Sequence, residues 1–156
     1  NIYEIKWLNM MRDKLGLYGE DKDDLKLINN LLNWMQSNQT DYTNTFCYLM
    51  NINSIQDQIY KDKDFIDWSR NWEKRILING GSKENSIKLM RKNNPIVIPR
   101  NHKVEEALAK ADKGNLDDVK NLLDILKNPY DNQDKIEEYQ MPAPPGNKKY
   151  QTYCGT

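Results

Sequence analysis

Cysteine is the side chain most readily turned into a nucleophile near neutral pH, and Cys154 stands third from the end of this 156-residue sequence. The stretch before it carries Pro142, Pro144, Pro145 and Gly146. It therefore cannot continue a helix and reads as an extended tail. Lys148 and Lys149 favour the thiolate, and the terminal carboxylate opposes it. Two readings of Cys154 follow from chemistry alone: an incidental exposed thiol, or a redox thiol on a tether that brings it to a partner. Cys47, the only other cysteine, falls at the edge of an apolar helical stripe and reads as a half-buried structural thiol. Two cysteines are too few for a disulfide framework or a structural zinc site.

Other candidate chemistry is sparse. His102, the single histidine, opens a helix, where the dipole disfavours its charged form. It is expected to be neutral and bonded to local backbone rather than to act as a general base. One histidine also leaves no Ser-His-Asp or Cys-His grouping to assemble. The acids Asp21, Asp23 and Asp24, and the pair Glu137-Glu138, could face a cation, but the Asp-x-Asp-x-Asp-Gly calcium loop is absent and no metal site is expected. Gly80-Gly81-Ser82 precedes a helix without either glycine-rich phosphate pattern.

The elements that carry these residues are helical. Apolar residues recur at three- and four-residue steps in Ile5, Leu8, Met11 and Leu15, then in Leu25, Ile28, Leu31, Leu32 and Met35. A third helix begins at Thr40 or Asp41. A fourth, over residues 64–78, places Phe65, Trp68, Trp72 and Ile76 on one face, with Arg70, Lys74 and Arg75 on others, solvated or paired locally. Ser82 caps a fifth helix through Arg91. Asn101 and Asn115 read as N-caps of a helical hairpin, with Asp118 completing a capping box for the second arm and Gly114 turning between them. The expected fold is all-α, about six helices over residues 1–135, followed by an extended tail over residues 136–156.

Composition narrows the partners. Acidic and basic residues number 23 each, so neither nucleic acid nor an anionic membrane is a default partner. No apolar run approaches membrane-spanning length. The chain opens as though inside a helix, without an initiator methionine or signal peptide, and is expected to be a piece of a longer cytoplasmic protein.

Taken in order, several segments resemble one family. Lys14-Leu15-Gly16-Leu17 is followed by the Leu-rich run Leu27 to Leu32, then Asp41-Tyr42-Thr43-Asn44-Thr45-Phe46 and Trp68 to Arg75. Met90-Arg91 comes next, then Asn94-Pro95-Ile96-Val97-Ile98-Pro99-Arg100-Asn101-His102, Val104 to Leu108, Asn128-Pro129-Tyr130 and the closing Tyr153-Cys154-Gly155-Thr156. The pattern resembles the selenoprotein O family, the YdiU/UPF0061 proteins, over their C-terminal third.

The resemblance implies a parent with a kinase-like fold that transfers AMP from ATP to protein hydroxyls, using Mg2+ or Mn2+. Its catalytic and nucleotide-binding residues would lie in a core preceding Asn1, so none is assigned to this chain, and no cofactor is expected for the piece alone. The resemblance also implies that Cys154 occupies the position of the animal selenocysteine and can pair with a cysteine of that core, making activity redox-sensitive. Tyr153 stands where a vicinal thiol would be, and a Cys47–Cys154 bridge is not expected. Pro99, Arg100, Asn101 and His102 belong to the signature without an assigned role. Trp7, Trp34, Trp68 and Trp72 are the candidates for core or docking contacts with the kinase-like part, through a face that could also make a dimer. Protein substrates would be partners of the whole enzyme. The alternative is a free-standing helical interaction module without catalysis.

Overall fold

The structure is a computed structural model that describes residues 1–52 and 58–143. It is all helical, with eight α-helices and no strand among the described residues, against about six helices expected. None of these helices is long and apolar enough to cross a membrane. The chain divides into two compact units, Asn1–Pro95 and Ile96–Thr156.

The first unit holds α1 (Ile2–Lys14), α2 (Asp24–Ser37), α3 (Tyr42–Leu49), a single 3-10 turn (Gln58–Lys61), α4 (Lys63–Arg75) and α5 (Lys83–Asn93). The caps follow from side chains that can accept from free backbone N–H groups. Asp41 accepts from Asn44 N, Asp62 from Asp64 N and Phe65 N, and Ser82 from Asn85 N. Helix α4 stops at Arg75, short of Ile78, because the chain turns through left-handed Asn79 and Gly80. In contrast, α5 runs two residues past Arg91.

α2 packs on α4 and α1 on α5. Between them lies an aromatic core, with Trp34 and Phe65 ring centres 4.6 Å apart and Trp68 and Trp72 stacked at 6.1 Å. Each of the three core tryptophans, Trp34, Trp68 and Trp72, has an acceptor for its N–H, which removes the cost of burying it. Trp34 donates to Asp62 at 2.8 Å, Trp68 to Leu27 O at 2.9 Å and Trp72 to Leu15 O at 2.8 Å. Cys47 is fully buried rather than at an edge.

Two expected seam positions are displaced. Ile5 and Leu25 are exposed, because the first turns of α1 extend away from the packed core and Asp24 occupies the inward position on α2. Gly16 has φ +68°, and a Cβ there would lie 2.6 Å from Ser86 O, so the turn after α1 requires glycine both for conformation and for close approach to α5.

The second unit is the hairpin of α6 (Asn101–Ala111) on α7 (Asp117–Lys127), followed by α8 (Ile136–Gln140). Arg100, not Asn101, is the N-cap of α6 and makes no side-chain cap bond. α7 begins at Asp117 after Leu116; Asn115 accepts from Asp117 N as a local turn, and Asp118 pairs with Lys110 instead of closing a capping box. Residues 136–140, expected in the extended tail, form α8, anchored by Ile136, which is 1% exposed.

Candidate functional site

The first unit concentrates its ionic chemistry on one carboxylate. Asp24 is 0% exposed and opens α2 on the same face as Ile28, Leu31 and Met35. Arg75, at the end of α4, places Nε 2.7 Å from Oδ1 and Nη2 3.2 Å from Oδ2. Arg12, from the last turn of α1, places Nε 2.8 Å from Oδ2, and Asp21 N donates to the same oxygen at 2.9 Å.

The two guanidiniums then reach outward. Arg12 meets Glu20 and Asn9, while Arg75 donates to Tyr18 O and Gly19 O. Burial pushes the Asp24 pKa upward, but the hydrogen bonds from Arg75, Asp21 N and Arg12 outweigh it and hold the carboxyl below its ordinary value. Both oxygens are occupied by donors, so Asp24 is a fixture joining α1, α2 and α4 and clasping the segment between the first two.

Sequence reasoning weighed Asp24 only among acids that could face a cation and put Arg75 off the apolar face, solvated or paired locally; both are buried and bonded to each other. A signal existed, since Arg12, Asp24 and Arg75 all lie in register with apolar seam residues.

Lys14 closes the other side of that turn. Its ammonium donates to Asn93 O at 3.2 Å and sits 4.9 Å from the Phe46 ring centre, and burial lowers its pKa. Asn94 answers by donating to Lys14 O and Met90 O. The Lys14–Leu17 motif is thus gripped by Trp72, Ser86 and Asn94.

In the second unit the signature Ile96–His102 is pinned at its first residue, through both backbone groups of Ile96. Ile96 N donates to Pro129 O at 2.7 Å, which joins it to the Asn128-Pro129-Tyr130 motif, and Gln140 Nε2 donates to Ile96 O at 2.8 Å. Pro99 and Asn101 are exposed, Arg100 is half-buried, and His102 is buried. The His102 ring makes no hydrogen bond among the described residues, so it is packed rather than bonded to backbone as expected. Lys103 ties α6 to α8 through Glu138 at 2.9 Å, and that bond raises its pKa despite partial burial.

The remaining candidates separate by burial. Trp34, Trp68 and Trp72 are interior to the first unit, whereas Trp7 is half-buried on α1. Cys154 lies outside the described residues. Among the described residues no group of three or more His, Cys, Asp or Glu could hold a metal ion.

The motifs that these contacts join are those of one family. The family model described as "Protein adenylyltransferase SelO" matches residues 1–127. The chain belongs to the SelO family. Among its SelO-family relatives, the "Protein nucleotidyltransferase YdiU" of Pelagibacter ubique is 53% identical over 154 residues. The proteins of the same name from Nitrosococcus oceani and Bacillus cereus (strain AH820) are 42% and 41% identical over 156 residues. Each alignment covers 99% of this chain but 32% of the relative, so this SelO-family chain spans about a third of their length. It is a member of a nucleotidyltransferase family.

Proposed function

We propose that this chain is the C-terminal structural and regulatory part of a SelO-type protein adenylyltransferase. The whole protein would move AMP from ATP to Ser, Thr or Tyr hydroxyls of protein substrates, releasing pyrophosphate, with Mg2+ or Mn2+ bound in a kinase-like core that precedes Asn1. The observation that carries this reading is the alignment of 99% of the chain with 32% of proteins named as nucleotidyltransferases. The described residues support the division of labour, because their buried ionic groups are consumed in holding helices together.

Cys154 is proposed as the redox element, forming a disulfide with a core cysteine as an oxidising disulfide is reduced to two thiols, and returning to the thiol as a reducing dithiol is oxidised to a disulfide. Full-length protein is expected to transfer labelled AMP, and this chain alone to transfer none. Oxidation should change the activity of the full-length protein reversibly, and Cys154→Ala should abolish that change. Transfer by the chain alone would move catalysis into it; an unaltered redox response in the variant would remove Cys154 from regulation.

The docking partner is proposed to be the same core, seated on the exposed first turns of α1. Ile2, Tyr3 and Ile5 are 74%, 72% and 61% exposed there, beside Trp7. This face replaces the buried tryptophans as the docking surface and is the route by which the isolated chain would dimerise. The isolated chain should bind a hydrophobic dye and sediment heavier than a monomer, with Ile5→Lys reducing both. A monomer that binds no dye would refute the assignment.

A further inference from the structure

Asn79-Gly80 is the one Asn-Gly dipeptide in the sequence, and it forms the tip of the turn that ends α4. Both residues are left-handed, with φ 58° and 77°, and Gly81 N closes the turn on Ile78 O at 3.1 Å. Both are exposed, and nothing lies within 4 Å of where a Gly80 side chain would stand. No hydrogen bond is made by Gly80 N among the described residues. The Asn79 amide is nonetheless a fastening: its Nδ2 donates to Tyr18 O at 3.4 Å and Glu20 O at 3.3 Å, lying over Gly19. Arg75 holds the same segment through Tyr18 O and Gly19 O, one link from Asp24.

We infer that Asn79 is a site of spontaneous deamidation that releases one of the two side-chain fastenings on residues 18–20. Solvent hydroxide takes the Gly80 amide proton, and the nitrogen bonds to Asn79 Cγ. The Cγ–Nδ2 bond breaks, ammonia leaves with a proton from water, and a five-membered succinimide remains. Water then opens either carbonyl of the ring, giving aspartate or isoaspartate with no change of oxidation state. Gly80 permits the attack because it presents no side chain to the approaching Cγ. The product exchanges an amide donor for a carboxylate facing two carbonyl oxygens, so both fastening bonds are lost. The isoaspartyl form also lengthens the backbone of a turn closed by a single hydrogen bond.

The test is peptide mapping of full-length protein held at physiological temperature in mildly alkaline buffer. Asn79 should convert ahead of every other asparagine of residues 1–156, at a rate within about tenfold of a free peptide spanning the turn, since exposed turns open at little cost. Enzymatic carboxyl methylation of the peptide spanning the turn, which reads isoaspartate, should rise in step and be absent from that peptide in Asn79→Gln. In parallel, Asn79→Asp should melt below the parent protein. Asn79 still intact when the free peptide has converted fully would overturn the site; an Asn79→Asp protein as stable as the parent would overturn the release.

Discussion

The Asp24→Ala protein is expected to lose about 3–5 kcal/mol of stability in denaturant titrations, because removing one partner from a buried ion cluster leaves the others uncompensated. Two guanidiniums converge on Asp24, from α1 and α4, while the carboxylate itself begins α2. Deleting it therefore leaves Arg12 and Arg75 facing each other without their shared counter-charge.

The same residue sets an acid dependence. Its folded pKa is depressed, so its contribution is fully present above the unfolded value near 4 and is lost as pH falls through the folded value. Stability of the parent should fall on acidification across that window. Asp24→Asn should start lower and fall less steeply. Parallel curves for the two proteins would show that Asp24 titrates alike in both states, contrary to its geometry.

Trp72→Ala is expected to cost about 3–5 kcal/mol, as large aromatic truncations in packed cores do. Trp72 is 4% exposed, stacks on Trp68, and donates to Leu15 O. The cavity and the hydrogen bond can be separated. Trp72→Phe keeps much of the ring volume but leaves the Leu15 carbonyl short of a donor, an effect of about 1–3 kcal/mol. Chemical denaturation of the two variants beside the parent reads both contributions. A Trp72→Phe protein as stable as the parent would mean that the bond to Leu15 O contributes nothing and that packing alone sets the position.

The helices were legible because their apolar spacing and caps are local. Asp41 and Ser82 both cap where their types suggest, and the aromatic stripe of α4 is the interior face. α8 was not legible: five residues are too few to display a helical period, and Lys135, with φ 63°, breaks the chain direction just before it. The ion cluster was missed for a different reason. Asp24, Arg12 and Arg75 are far apart in sequence, and a charged residue is taken as solvated until its partners are brought alongside it. The links between signature motifs, such as Ile96 N to Pro129 O, run through backbone and leave no trace in residue type.

Many of the fastenings in the first unit share one asymmetry. Trp72, Trp68, Arg75, Asn79 and Asn94 each donate from a side chain, and the acceptors at Leu15, Leu27, Tyr18, Gly19, Glu20, Lys14 and Met90 are main-chain carbonyls. Every amino acid has such a carbonyl, so the acceptor positions can change letter without breaking the bond. Contact inference from paired sequence changes would therefore be blind to these ties, although a saturation scan would find their donor ends as isolated intolerant positions.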